Sequence, residues 1–416
     1  MYRYRKNKRR LYFTLLFLLA ISIGVGYAYL TSNLKINGTT KISKNTWDIH
    51  FQDVTMINNT VSAANPTLTS SNTVVTFSPT LKTPGDEYSF SVKVVNAGSI
   101  DAMLSEVVKA GVSTTQAKYT EFSVTYLDGT AINVKDKLGA GESLPLKVVV
   151  RYKDDITAAD LPSSDQTLSL SMTLTYVQAD SSANEVKMPD FTTDSWEKII
   201  SVVQNGGGSL YEVGDTKEID MGSFGTHTLR VANTSTPTEC STAGFSQTAC
   251  GFVLEFADII TKHNMNSTST DTGGWPASEL YTYVQNDIYN ALPSELKNGI
   301  IDTYVVSGHG KNDPPNFTST DKLYLLSTME VWGSNPGGYD TATAETRQLD
   351  YYENNGVTTS SPGGAIKQYN GSNPEWWLRA ASTYFSNMFY NVSKGGDSYY
   401  NFANYSSGVA PAFRIG

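Results

Sequence analysis

The chain has 416 residues, with 40 acidic and 31 basic side chains and a formal net charge of −9 at pH 7. Proteins that bind nucleic acid carry basic patches, so this acidic balance excludes DNA and RNA as partners. One hydrophobic core serves at most about 300 residues, so a chain of this length is expected to form more than one domain.

The N-terminus has a basic run followed by an apolar stretch over residues 11–30. Roughly 20 apolar residues cross a bilayer, and flanking positive charge keeps that end in the cytoplasm. The pattern predicts a signal peptide or signal-anchor helix over residues 1–30, contact with a membrane through residues 11–30, and a spacer over 31–45. The remainder is expected to be extracellular, either at the cell surface or secreted. Residues 26–28 fit a cleavage site loosely, so cleavage and retention both stay open.

The chain has two cysteines, Cys240 and Cys250. In an exported chain such a pair is a disulfide candidate, although spacing alone does not establish that the two Cα atoms come within about 7 Å. A metal site would need more cysteine or histidine nearby, and His227 and His263 each lie more than ten residues away. We therefore expect neither a metal ion nor another cofactor.

Residues 46–178 show the pattern of short β-strands. Apolar and polar residues alternate over 88–94 and again over 168–176, and Gly/Pro clusters separate such segments. Alternation with period two is typical of strands that bury one face. We therefore predict an all-β sandwich of the immunoglobulin-like type for residues 46–178.

This part of the chain resembles a family of exported sandwich proteins from Gram-positive bacteria, which includes camelysin-like and biofilm-matrix fibre proteins. The resemblance rests on the leader at residues 26–31 and on the segment from Pro84-Gly85-Asp86 to residues 94–102. It implies a spacer or assembly module. Some relatives are proposed to be proteolytic, but the chain has no His-Glu-x-x-His motif, so that activity is not carried over.

Residues 179–190 are polar and predict a linker, which leaves 191–416 as a second domain. Helical periodicity appears at 196–203 and 281–292. Few helices and short strands with long loops between them predict an α+β domain. The predicted strands are His227–Val231, Gly251–Phe256, Ile301–Val306 and Lys322–Ser327.

The second domain resembles an uncharacterised domain family found in surface proteins of Gram-positive gut bacteria. The most specific motifs are Trp-Trp-Leu-Arg at 376–379 and Gly-Val-Ala-Pro-Ala-Phe at 408–413. The resemblance implies a C-type-lectin-like fold, of the branch shared with formylglycine-generating enzymes and retroelement-diversified variable proteins. Formylglycine-generating enzymes use cysteines late in the domain, and no cysteine follows Cys250. The calcium-lectin motifs Glu-Pro-Asn and Gln-Pro-Asp do not occur either. Neither formylglycine generation nor calcium-dependent sugar binding is therefore carried over. The resemblance makes these residues scaffold: Trp377, Leu378, Val409, Pro411 and Phe413.

Between those two motifs, residues 384–405 contain eight aromatic side chains among Asn, Ser, Gly and Asp. Tyr and Phe provide stiff contact area, while Ser, Asn and Gly provide adaptable hydrogen bonding, as in antibody binding loops. The composition therefore predicts a binding surface. The expected ligand contacts are Tyr384, Phe385, Asn387, Tyr390, Tyr399, Tyr400, Asn401, Asn404 and Tyr405.

The chain lacks the Gly-x-Ser-x-Gly motif of serine hydrolases, so we expect non-catalytic binding or adhesion at the bacterial surface. The expected partner is a protein or glycan ligand on another cell or on a phage. Two alternatives stay open: a glycan- or peptide-acting surface enzyme, and a structural protein that forms extracellular fibres. Most residues of 382–407 interconvert by changes at the adenines of an Asn codon, so we also hypothesise diversification by a retroelement.

Overall fold

The computed structural model describes residues 9–19 and 44–416. The chain divides into two compact units, Met1–Asn45 and Thr46–Gly416. In the first unit the described residues are the helix α1 (residues 9–19) and residues 44–45. The possible cleavage site at 26–28 and most of the predicted spacer lie outside the described residues.

The predicted transmembrane helix over residues 11–30 is not supported. Within residues 9–19 and 44–416, no helix combines the length and the apolar character that a membrane span requires. The described part of helix α1, residues 9–19, covers only part of the predicted segment, and residues 20–30 lie outside the described part. We therefore correct this element of the predicted fold class.

Strand residues outnumber helical residues, at 32% to 19%. The strands are β1 Ile49–Asn59, β2 Thr67–Thr69, β3 Val74–Thr76, β4 Glu87–Asn96, β5 Ala102–Ala110, β6 Thr120–Tyr126, β7 Lys137–Leu138, β8 Ser143–Tyr152, β9 Ser171–Gln178, β10 Thr216–Asp220, β11 Thr226–Asn233, β12 Val253–Phe256, β13 Thr261–His263, β14 Thr303–Ser307, β15 Phe317–Asp321, β16 Trp376–Ala381, β17 Met388–Val392, β18 Ser398–Phe402, β19 Ser407–Val409 and β20 Ala412–Arg414. The chain is therefore mostly β, with several sheets, and the predicted combination of a membrane helix, a sandwich and an α+β domain is wrong as a fold class.

The helices of the second unit are short. They are α2 Trp196–Gln204, α3 Gly274–Ala277, α4 Glu279–Tyr283, α5 Tyr289–Ala291, α6 Ser294–Lys297, α7 Thr328–Trp332 and α8 Asp350–Asn354, with a π-helical segment at Val284–Ile288 and 3-10 turns at Gln116–Lys118, Gly208–Leu210, Gly222–Phe224, Thr238–Ser241, Gln247–Ala249, Pro336–Gly338 and Pro362–Ala365. The helical periodicity at 281–292 thus corresponds to two short helices joined by the π-helical segment.

A first hydrophobic core lies between two sheets, β1-β4-β8-β6 and β7-β5-β9. Strands β4 and β8 pair antiparallel with Tyr88 opposite Val150 and Phe90 opposite Val148, and all four side chains are buried. Because alternate residues of a strand point to the same face, the two strands place these apolar side chains together on the core side.

A second hydrophobic core draws its residues from positions 191–415. Its two larger sheets are β10-β11-β12-β20 and β13-β19-β16-β17-β18, and β14-β15 forms a hairpin. The segment 407–414 contributes β19 to one of these sheets and β20 to the other, so it joins them. The residues expected to be scaffold are all buried: Trp377, Leu378, Val409, Pro411 and Phe413.

A buried ion pair fixes β16 against α7. Arg379 donates from Nη1 and Nη2 to the two carboxylate oxygens of Glu330, at 2.6 Å each. Its Nε also donates to the Val306 carbonyl (3.0 Å), and its Nη1 donates to the Leu325 carbonyl (2.9 Å). Glu330 also completes a capping box with Ser327 at the start of α7. Burial disfavours the charged carboxylate, but the adjacent guanidinium holds the pKa of Glu330 below its ordinary value.

Candidate binding surface

The aromatic segment folds as the hairpin β17–β18, in which Tyr390 lies opposite Tyr400 and Asn391 lies opposite Tyr399. Strand β17 also pairs with β16, with Trp377 opposite Asn391. Strand β18 is at the edge of the five-stranded sheet. The two buried motifs at 376–379 and 408–413 therefore carry a hairpin whose outer strand has one free edge in the sheet.

The predicted contact residues differ in exposure. Tyr384 and Tyr399 are each 55% exposed and Tyr405 is 50% exposed. Phe402, which the prediction omitted, is 47% exposed. The others fall in two groups: Asn404 is exposed, and the half-buried ones are Phe385, Asn387, Tyr400 and Asn401.

Tyr390 is a correction, because its side chain is only 1% exposed. Its hydroxyl donates to the carbonyl of Pro336 at 3.1 Å and accepts from the Tyr339 N–H at 3.2 Å. Burial, together with the charge of Asp340, raises the pKa of Tyr390. A buried phenol with both hydrogen-bonding functions occupied cannot meet a ligand, so Tyr390 belongs to the core.

Five rings form what we call the aromatic cluster: Tyr339, Tyr384, Phe385, Tyr399 and Tyr400. Successive ring centroids are 5.0 Å, 4.7 Å, 5.2 Å and 5.5 Å apart, in the order Tyr339, Tyr384, Phe385, Tyr400, Tyr399. These distances are typical of favourable aromatic pairs. Each exposed ring is therefore held by its neighbours, and little rotamer entropy remains to be lost when a ligand binds.

Tyr339 was not among the predicted contacts, because it lies some 45 residues before Tyr384 in the chain. The loop that carries it is held close to the hairpin by several hydrogen bonds. Besides the contact with Tyr390, the Thr383 N–H donates to the Tyr339 carbonyl at 3.2 Å. Only the register of the fold brings this ring to the surface, and no periodicity in the sequence could have indicated it.

Two of the predicted asparagines are partly engaged inside the protein. Asn387 donates to the hydroxyl of Ser269 at 3.1 Å, and Asn401 donates to Glu375 at 3.2 Å. The amide oxygen of Asn401 accepts from the Phe402 N–H at 2.9 Å, which leaves the amide oxygen of Asn387 for a ligand. These internal bonds orient both side chains and extend the ordering that the aromatic cluster provides.

A carboxyl group lies beside the loop that leads into β17. The Asp271 N–H donates to the Ser386 carbonyl at 3.4 Å. Asp271 is 1% exposed, and its Oδ2 has no hydrogen-bond partner among the described residues. Burial, and then the nearby charge of Asp313, raises the pKa of Asp271 to about 6.

Cys240 and Cys250 form a disulfide, with their Cα atoms 5.9 Å apart. In the described ranges, no three or more His, Cys, Asp or Glu side chains converge as a potential metal site. His227 is bonded to Asp258 at 2.7 Å and to the Phe224 carbonyl at 2.9 Å, which accounts for both ring nitrogens.

Residues 252–416 match a domain family described as a domain of unknown function (DUF6273). The match includes β12 to β20 and therefore the whole of the hairpin and its scaffold. No curated protein matches the chain.

Proposed function

We propose that the chain is a non-catalytic extracellular binding protein, secreted or held at the cell surface, that captures a protein or glycan ligand of another cell or a phage. The observation that carries the proposal is the aromatic cluster, which presents two half-exposed tyrosines: Tyr384 in the loop before β17, and Tyr399 on the edge strand β18. Tyrosines of this kind, with a rigid underside and an exposed face, are typical of binding hot spots. The disulfide Cys240–Cys250 supports export, since disulfides persist in oxidising compartments.

The test is a capture assay with the intact chain on arrays of glycans and of extracellular proteins. We expect the double variant Tyr384→Ala/Tyr399→Ala to bind its ligand at least about 30-fold more weakly, which corresponds to about 2 kcal/mol, the threshold of a hot spot. The matched control is Tyr304→Ala, a tyrosine of β14 that is 37% exposed and lies outside the hairpin. The control is expected to bind as the unchanged protein does.

A thermal melt of each variant separates binding from folding. Because Tyr384 and Tyr399 are both half exposed, replacing them by Ala should lower the free energy of unfolding by less than about 1 kcal/mol. Unchanged capture, or a loss that merely follows unfolding of the variant, would contradict the proposal. Turnover of an arrayed glycan or peptide that survives the double substitution would instead favour a surface enzyme.

Diversification of the segment by a retroelement is part of the same proposal. Exchange at the exposed positions Tyr384, Tyr399 and Asn404 would change the surface without disturbing the core, whereas Tyr390 and Asn391 are buried. We expect the flanking DNA to contain an imperfect repeat of this segment and a reverse transcriptase gene. Sequencing that finds neither would refute this part.

A further inference from the structure

A cleft of about 380 Å³ lies beside the hairpin. Its walls come from four places: the loop before β16, the residues that enter β19, strand β13 and the turn between β17 and β18. Its volume is at the lower end of the range for small-molecule sites, about 300–1,000 Å³. The lining residues are Lys262, Ser372, Asn373, Pro374, Glu375, Lys394, Tyr405, Ser406 and Ser407.

The floor of the cleft depends on Gly408. Its N–H donates to the Glu375 carbonyl at 2.8 Å, and a Cβ at this position would lie 3.0 Å from that oxygen and 2.7 Å from Cδ1 of Ile259. A glycine therefore lets β19 approach the chain just before β16. This close approach sets Ser407 next to Glu375 in the wall of the cleft.

Two lysines give the cleft its positive charge. Lys262 and Lys394 are both exposed, and neither has a carboxylate within 4.0 Å in the part of the chain that the structure covers. The Lys262 ammonium lies 5.5 Å from the ring centre of Tyr369. In a chain with net charge −9, two cations without anionic partners at one cleft form a local site for an anion.

The cleft also has a carboxylate oxygen that can accept a hydrogen bond, on Glu375, and a hydroxyl without a hydrogen-bond partner among the described residues, on Ser407. Oε2 of Glu375 accepts from the amides of Asn391 (3.3 Å) and Asn401 (3.2 Å), while its Oε1 accepts no hydrogen bond from the described residues. Ser407 is 2% exposed, and its Oγ has no partner within residues 9–19 and 44–416. A buried polar group without a partner costs roughly 1–3 kcal/mol, which a ligand hydroxyl would offset.

We propose that this cleft binds a carbohydrate that carries a carboxylate, such as a sialic or uronic acid. The ligand carboxylate pairs with the ammonium groups of Lys262 and Lys394, and ligand hydroxyls bond to Glu375 Oε1 and Ser407 Oγ. The half-exposed ring of Tyr405 covers an apolar C–H face of the sugar. An inorganic anion would gain nothing from the ring of Tyr405. The cleft shares only Tyr405 with the predicted contacts, so the inference does not depend on the aromatic cluster.

The test is titration calorimetry of the intact chain with three probes: the methyl glycoside of N-acetylneuraminic acid, glucuronic acid and galactose. The glycoside represents the end of a glycan, and glucuronic acid represents a free sugar acid. We expect at least one acidic sugar to bind at least tenfold more tightly than galactose. Equal affinity for galactose, or displacement of the sugar by an equal concentration of inorganic phosphate, would overturn the proposal.

The variants address the two lysines. Lys262→Gln/Lys394→Gln should weaken binding of the acidic sugar at least tenfold and leave the thermal melt unchanged, because both side chains are exposed. The matched control Lys311→Gln changes an exposed lysine outside the cleft and should have no effect. Unchanged binding by the double lysine variant would refute the assignment. The variant Tyr384→Ala/Tyr399→Ala should bind the sugar normally, so failure here and failure of the aromatic cluster are distinguishable.

Discussion

Replacement of Arg379 by Met tests how the fold supports the hairpin. The substitution keeps most of the side-chain volume and removes four hydrogen bonds, two to Glu330 and two to backbone carbonyls. Both members of the pair are fully buried. Breaking a buried pair by removing one partner costs about 3–5 kcal/mol, and each buried carbonyl that loses its donor adds about 1 kcal/mol.

We therefore expect Arg379→Met to lower the free energy of unfolding by about 5 kcal/mol at pH 7. The difference in the free energy of unfolding between the unchanged protein and Arg379→Met should be smaller near pH 4. In the unchanged protein Arg379 holds the pKa of Glu330 below its ordinary value, so the pair stabilises above that ordinary pKa and weakens as the pH falls. In the variant burial alone raises the pKa of Glu330, so the variant loses stability as the pH rises.

The assay is guanidinium unfolding followed by tryptophan fluorescence, because five of the six tryptophans belong to or pack against the second core. Adding Glu330→Gln removes the unpaired charge and should recover about 2–3 kcal/mol. The control Lys322→Met breaks an exposed pair with Asp302 and should cost less than about 1 kcal/mol. A loss below 1 kcal/mol for Arg379→Met, or no recovery in the double variant, would refute this reasoning.

Three further predictions concern single groups. Tyr390→Phe removes a hydroxyl that has both a donor and an acceptor partner, and should lower the free energy of unfolding by about 1–2 kcal/mol in denaturant melts. Burial raises the pKa of Asp271 to about 6, so the contribution of this group to the free energy of unfolding should fall by about 2 kcal/mol from pH 4 to pH 6; melts across this range should show the free energy of unfolding of the unchanged protein falling by that amount relative to Asp271→Asn. Replacing Cys240 and Cys250 by Ser opens a loop with a sequence separation of 10 and should cost about 3 kcal/mol in calorimetry.

Each of these has a contradicting result. A Tyr390→Phe variant as stable as the parent would mean that water satisfies the two backbone groups. If the free energy of unfolding of Asp271→Asn depends on pH as it does in the unchanged protein, the dependence does not come from Asp271. If the serine variant melts at the same temperature as the oxidised parent, the disulfide does not contribute to stability.

The sandwich strands could be predicted because their sequence alternates. In β4 the buried apolar residues Tyr88, Phe90, Val92 and Val94 occupy every second position. A strand with one buried face has this pattern whichever strands it pairs with. In the second core this signal is uneven: β11 alternates, with His227, Leu229 and Val231 buried, but other strands do not. Strand β16 is buried at every position, and β15 consists of Phe-Thr-Ser-Thr-Asp, so neither alternates.

The predicted strand Lys322–Ser327 shows that a buried apolar run need not form a strand. Its apolar run is buried, but only Tyr324 forms a bridge, to Ala412. Burial and strand pairing are separate properties, and an apolar run reports only burial. Strand β15, just before it, makes the hairpin with β14 instead.

The candidate surface could be predicted as a segment but not residue by residue. The composition of 384–405 indicated aromatic display, and Tyr384, Tyr399 and Tyr405 are exposed as a surface requires. The composition could not separate Tyr390 from them, because its burial depends on Pro336 and Tyr339, more than 50 residues earlier. The predicted fold class failed for a related reason, since it rested on apolar content and periodicity, which do not report the packing partners of a segment.

The segment 407–414, which supplies one strand to each large sheet of the second core, has a consequence for biogenesis. Strand β20 closes against β12, and Ala412 bonds with Tyr324 in both directions. The five-stranded sheet cannot be completed until Val409 has left the ribosome or the translocation channel, and the four-stranded sheet cannot be completed until Arg414 has left it. Until then, residues 191–406 form an incomplete core with exposed apolar surface, to which chaperones or proteases can bind.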